Sequence, residues 1–98
     1  MAVMLVARFD GDVHRLTDAY DKAHRLTMES GGAPGELRHH CAVGDGALYI
    51  IGMWESEERM RARIESDALE KTLTSVGSPS FHTADITILQ LHATEPPL

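Results

Sequence analysis

The chain has 98 residues, 43% of them apolar, and a formal net charge of -6 at pH 7. This size predicts a single globular domain over residues 1–98, small enough that much apolar surface stays exposed in a monomer. The acidic balance argues against binding to nucleic acid or to an anionic membrane. The single cysteine excludes an internal disulfide. The N-terminal apolar run lacks a basic leader and is too short to span a bilayer, so we expect a cytoplasmic protein.

The first third of the chain predicts a strand followed by a helix. Residues 2–9 are apolar at both odd and even positions, which is typical of a strand covered on both faces. Asp10-Gly11-Asp12 combines turn and helix-capping residues, and residues 13–30 follow helical spacing. Gly31-Gly32 then predicts the helix end.

The middle of the chain predicts a hairpin. Residues 36–43 and 47–54 have the composition of two antiparallel strands, and Gly44-Asp45-Gly46 predicts a tight turn between them. The second of these strands, like the first strand of the chain, is apolar at both parities. It therefore also needs a cover on both faces.

The last segments predict two helices and a fourth strand. Ser56 predicts the N-cap of a helix with Met60 and Ile64 on its buried edge, and a further helix ends at Gly77. Residues 84–92 alternate as a strand. The order β-α-β-β-α-β is the ferredoxin-like α+β arrangement, with a four-stranded antiparallel sheet. Because helices cover only one face of such a sheet, the apolar residues of the other face predict a homodimer.

One junction carries a family resemblance. In residues 48–70, LYIIGMWESEERMRARIESDALE, an apolar strand ends in Trp54 and a charged helix begins at once. This segment resembles the centre of dimeric α+β barrel proteins, the group of the antibiotic-biosynthesis-type monooxygenases and the small haem-degrading monooxygenases. The resemblance implies two sheets that form a barrel across a two-fold interface. It also implies a small apolar or aromatic ligand in a cleft between the first helix and the sheet.

The haem-degrading branch of that family uses an asparagine on the first strand, and a second tryptophan and a histidine after the strand-end tryptophan. Here the corresponding positions after Trp54 hold Arg63 and Leu73, and the chain has no asparagine. Haem degradation is therefore disfavoured, and we expect no cofactor. Two classes remain open. A non-catalytic ligand-binding protein is slightly favoured, and the alternative is a cofactor-independent monooxygenase acting on a polycyclic phenol or quinol.

Tyr20 and His24 are the polar residues that stand out on the first helix. At 100° per residue His24 lies near the middle of the arc that carries Leu16, Tyr20 and Ala23, so we expect it to point inward. Tyr20 lies one turn before it. We expect the pair either to satisfy each other or a strand carbonyl in the core, or to line a ligand cleft. The core arrangement is the more frequent one for a buried histidine.

A second group lies on the second strand. Adjacent strand residues point to opposite faces, so His39 shares a face with Cys41, and His40 shares one with Arg38. The two histidines cannot bind one metal without a bulge, which predicts no metal site. Cys41 is mid-strand with apolar neighbours, which favours a small core thiol over a nucleophile.

Four residues are therefore predicted to bind a ligand: Tyr20, His24, His39 and Trp54. His24 and His39 are the candidates for a catalytic base. Trp54, the only tryptophan, is also typical of a core or interface anchor.

Overall fold

The computed structural model describes residues 1–98, and its four strands and three helices follow the predicted order. They are β1 (Val3–Asp10), α1 (Val13–Glu29), β2 (Glu36–Gly44), β3 (Ala47–Trp54), α2 (Glu57–Ile64), α3 (Asp67–Ser75) and β4 (Asp85–Gln90). The strands form one antiparallel sheet in the order β2-β3-β1-β4. The ferredoxin-like α+β fold is thus confirmed. Its helices fall short of the length and apolarity that a bilayer crossing needs.

Local sequence sets both ends of α1. The Asp12 carboxylate accepts hydrogen bonds from the backbone N–H groups of His14 and Arg15, at 2.9 and 3.2 Å. At the other end Gly32 has a positive φ of 85°, and its N–H donates to the Thr27 carbonyl at 2.9 Å. These are the cap and the glycine stop that the sequence predicted.

The β2–β3 hairpin turns at Asp45 and Gly46. Both residues have positive φ, 52° and 68°. A two-residue type I′ turn requires this, and its backbone twist matches the twist of the two strands. The turn fixes the register of β2 on β3, so that His39 lies opposite Gly52 and Cys41 lies opposite Ile50. His39 and Cys41 therefore share the face of the sheet that the helices cover.

A bulge interrupts β2 near its start. The register with β3 shifts between Glu36 and Arg38, which leaves Leu37 as an extra residue. In a regular strand, residues three apart point to opposite faces. Because of the extra residue, Glu36 points to the helix-covered face together with His39.

The core lies between that face and the helices. Alternate residues of β1 are buried in a core cluster that also includes residues of α1, β3, α2, α3 and the turn before β4. The members of the cluster are Val3, Leu5, Ala7, Phe9, Ala23, Leu48, Trp54, Met60, Leu69, Leu73 and Phe81. Phe81 belongs to a short 3₁₀ turn, Phe81–Thr83, that the sequence did not predict. Its ring meets Phe9 edge to face at 5.3 Å, and the turn delays β4 to Asp85.

The opposite face of the sheet carries no helix. Its central side chains on β1 and β3 are apolar and only half-buried: Met4, Val6, Ile51 and Met53. Leu89 of β4 lies beside Met4 and is 50% exposed. Arg8 donates to the Tyr49 hydroxyl at 2.6 Å on the same face. We call this surface the open face.

Candidate functional site

A cleft of about 110 Å³ lies between α1, the α2–α3 segment and the helix-covered face of the sheet. An engineered apolar cavity of about 150 Å³ holds benzene, so this smaller cleft has room for at most about one aromatic ring. Most of its lining is apolar: Leu5, Phe9, Leu16, Ala23, Met28, Ala33, Leu48, Ile50, Ile64, Leu69, Leu73 and Phe81. The polar groups in it are Tyr20, His24, Thr27, Glu36, His39, Trp54, Arg63 and Ser78.

Three of these polar side chains form a chain of hydrogen bonds. Glu36 Oε2 lies 3.0 Å from His39 Nδ1, and His39 Nε2 lies 2.7 Å from the Tyr20 hydroxyl. A carboxylate can only accept, so Nδ1 of His39 donates to it. In the neutral imidazole Nε2 is then the acceptor, and the Tyr20 hydroxyl donates to it. The lone pairs of the Tyr20 oxygen remain free to accept a hydrogen bond in the cleft.

Burial holds the Tyr20 phenol in its protonated form. It raises the pKa of Tyr20 to about 12, and the nearby charges of Cys41, Glu36 and Asp21 add to the shift. Burial also raises the pKa of the Cys41 thiol, with a further contribution from Asp21. A raised thiol pKa disfavours the reactive thiolate, as expected for the predicted core thiol.

His24 differs from its prediction. It lines the cleft, but the side chain is exposed, because the buried stripe of α1 is centred on Ala19 and Ala23. His24 therefore lies at the rim and does not point into the core. Its ring lies 5.6 Å from the Tyr20 ring and 5.6 Å from the His39 ring, nearly parallel to both. Tyr20 makes its hydrogen bond to His39 and not to His24.

The two adjacent histidines of β2 diverge as predicted. His39 faces the cleft, whereas His40 is exposed on the open face. No three His, Cys, Asp or Glu side chains come close enough together to hold a metal ion.

Trp54 forms part of the cleft wall, and its indole N–H donates no hydrogen bond to the protein. The residue is only 2% exposed, and no protein atom accepts a hydrogen bond from its indole Nε1. Gly52 allows this arrangement, because a Cβ at that position would lie 2.9 Å from Nε1 and 2.7 Å from Glu36 Oε2. Leaving a buried donor unsatisfied costs about 1–3 kcal/mol. Buried donors without a partner are rare in folded proteins, so this one needs a structural or functional explanation.

Arg63 on α2 brings a cation to the same cleft. Its Nη2 donates to the Thr27 hydroxyl at 3.1 Å. Burial lowers the pKa of Arg63, and the Glu36 charge partly opposes this effect. Its place could have been read from the sequence, because Arg63 lies three residues after the buried Met60 on the same helix face.

Sequence reasoning overlooked Glu36. The residue stands at the start of a strand, three positions before His39, and only the bulge brings the two side chains together. All four residues predicted to bind a ligand line the cleft. Their binding role stays a prediction.

No protein-family model matches the sequence, and no curated protein sequence matches it. Solved structures do match its fold. SnoaB, a cofactor-independent oxygenase from Streptomyces nogalater, is 18% identical with a TM-score of 0.70 over 97% of both chains. Rv0793 from Mycobacterium tuberculosis is 13% identical with a TM-score of 0.69 over 97% of this chain and 99% of its own. A conserved protein from Methanosarcina mazei Go1 is 15% identical with a TM-score of 0.68 over 92% of both.

The structural neighbours are thus antibiotic-biosynthesis-monooxygenase-like proteins of the dimeric α+β barrel type, as the junction at Trp54 predicted. One of them, NE2512 from Nitrosomonas europaea, is a protein of unknown function. At these identities the likeness shows the fold alone.

The ionisation of Tyr20 gives a test of its burial in the cleft. Its native pKa, about 12, lies above the ordinary 10.0, so the native state holds the phenolic proton more tightly than the unfolded state does. The stability from this effect is complete below pH 10 and is lost as the pH rises from 10 to about 12. We expect the free energy of unfolding to fall more steeply over this range in the wild type than in Tyr20→Phe. Parallel curves in urea titrations would contradict the burial of this phenol.

Proposed function

We propose that this protein is a homodimer that binds a small planar aromatic ligand in the cleft between α1 and the sheet, through a hydrogen-bond acceptor on the ligand. The observation that carries the proposal is the buried, unpartnered indole N–H of Trp54 in the wall of an apolar cleft. A carbonyl or similar acceptor on the ligand would satisfy that donor. The apolar walls would hold the ring and exclude water.

The size of the cleft limits how the ligand enters. About 110 Å³ accommodates roughly one ring, so a larger polycycle would place one ring inside and the others in the mouth. The mouth is lined by exposed side chains of α1, including His24 and Met28. These side chains can change rotamer at little cost, since they are not packed in the core.

The single indole N–H makes this proposal directly testable. We expect 1-indanone, a planar ketone, to bind more tightly than indane, its hydrocarbon counterpart. One satisfied hydrogen bond is worth roughly 0.5–1.5 kcal/mol, which corresponds to about two- to tenfold in affinity. In ¹H-¹⁵N spectra the Trp54 indole signal should move downfield with 1-indanone and not with indane. Recording these spectra as a titration with each compound also gives the affinity of each.

Trp54→Phe serves as the matched variant, because it keeps an aromatic wall and removes the donor. It should erase the preference for 1-indanone over indane, as measured by calorimetry. If neither compound binds, or if the ketone has no advantage in the wild type, the cleft is a packing feature and the proposal fails.

The homodimer is proposed from the open face. Met4, Val6, Ile51 and Met53 form an apolar centre on a sheet that has no helix on this side. A monomer leaves this area in contact with water, whereas a second copy related by a two-fold axis would bury it against the same surface. The apolar residues at both parities of β1 and β3 are what such an arrangement requires.

We expect light scattering after gel filtration to give twice the 10.8 kDa mass of one chain. Ile51→Glu places a charge at the centre of the open face and should convert the protein to a folded monomer. Leu26→Glu places the same charge at an exposed position of α1, away from the open face, and should leave the dimer intact. A wild-type monomer at micromolar concentration would refute the homodimer.

A second function is favoured by the Glu36–His39–Tyr20 chain: cofactor-independent oxygenation of a phenol or quinol. A ligand hydroxyl that donates to the Tyr20 oxygen could pass its proton to Tyr20 while Tyr20 passes its own to His39 Nε2. The substrate O–H bond breaks, an N–H bond forms on His39, and Glu36 stabilises the resulting imidazolium. The electron pair stays on the substrate, and dioxygen would react with this electron-rich anion.

Oxygen uptake on a panel of anthrone-like and quinol substrates tests this second function. Tyr20→Phe and His39→Gln should each lower the rate about 10²- to 10⁴-fold, the usual contribution of a general base. His40→Gln alters the neighbouring histidine on the open face and should leave the rate unchanged. Uptake that does not respond to Tyr20→Phe or His39→Gln would rule out the proposed proton path, and absence of uptake on the whole panel would leave ligand binding as the function.

A further inference from the structure

Arg63 is a cation in the cleft that lacks a close anionic partner. The three other arginines of β1 and α2 show the contrast: Arg8, Arg59 and Arg61 each have a carboxylate within 4.0 Å. Arg63 has none, and its one side-chain hydrogen bond goes to a neutral hydroxyl, that of Thr27. Holding a half-buried guanidinium next to apolar walls is unfavourable unless an anion approaches it.

We propose that Arg63 makes the cleft selective for aromatic ligands that carry a full negative charge on oxygen, such as a carboxylate or a phenolate. This inference rests on the proposed ligand cleft and specifies the chemistry of its ligand. The planar guanidinium can bind the two oxygens of a carboxylate side by side. Trp54 lines the same cleft, and the lack of a protein acceptor for its buried indole N–H is an independent sign of a ligand acceptor.

The other charged groups of the cleft do not cancel this preference. Glu36 is negative, but its Oε2 is directed to His39 Nδ1 at 3.0 Å and not to the Arg63 guanidinium. The lowered pKa of Arg63 is consistent with this picture, because burial and not a partner dominates its surroundings.

Two matched probes test the selectivity in the intact protein. Indane-5-carboxylate and indane-5-carboxamide have the same ring and nearly the same shape, and differ in charge. We expect the carboxylate to bind about ten- to a hundredfold more tightly at pH 7, as a hydrogen bond to a charged group allows. Arg63→Gln should reduce this ratio to about one, and Arg63→Lys should keep part of it. Arg61→Gln, an exposed residue of the same helix, changes the net charge equally and should keep the full ratio.

A third probe separates the two kinds of oxyanion. 4-Nitrophenol is a single ring whose phenolate absorbs visible light, so its ionisation can be followed while it is bound. Stabilisation by Arg63 should lower its apparent pKa in the wild type and in Arg61→Gln, and not in Arg63→Gln. A response to the carboxylate alone would restrict the ligand class to carboxylates.

The outcomes distinguish this inference from the proposed function. If the carboxamide binds as tightly as the carboxylate while 1-indanone still binds, the charge selectivity is wrong and the ligand cleft stands. If no indane derivative binds, both fail together. Thermal melts establish that the variants fold. If Arg63→Gln does not fold, the ratio of carboxylate to carboxamide affinity in the wild type and in Arg63→Lys still tests the inference. Equal affinity of the two probes in the wild type overturns it without any variant.

Discussion

The contact between Glu36 Oε2 and His39 Nδ1 determines the polar side of the cleft. It fixes the proton of a neutral His39 on Nδ1, which makes Nε2 the acceptor for Tyr20 and turns the Tyr20 oxygen into an acceptor toward the cleft. The contact exists because β2 has one extra residue at Leu37. Without that bulge Glu36 would point to the open face, and His39 would lose its orienting partner.

The rest of the cleft combines apolar walls with a few incompletely satisfied polar groups. The Trp54 N–H has no protein acceptor, and the Arg63 guanidinium has no carboxylate within 4.0 Å. In an ordinary core such groups would be replaced by apolar residues or paired, because each lowers stability. Both groups lie in the lining of one cleft, and under the proposed function a bound ligand would offset their cost in stability.

The two faces of the sheet form different parts of the molecule. Along β1 and β3, alternate residues point to the helices and form the core and the cleft wall, whereas the intervening residues form the apolar centre of the open face. The candidate cleft and the proposed dimer interface therefore share the same two strands. A change of register in either strand would disturb both, since a shift of one residue exchanges the faces.

The sequence by itself determined the order of the elements, the caps of the helices, the divergence of His39 and His40, and the identity of the fold at the Trp54 junction. The first three depend on local periodicity and capping, which residues close in sequence fix, whereas the fold at the Trp54 junction was inferred from a resemblance to a known family. Only the tertiary structure decided that Glu36 joins His39, that Tyr20 bonds to His39 and not to His24, and that His24 lies at the rim. Those three depend on a strand bulge and on the rotation of α1 against the sheet, which are set by packing between distant segments.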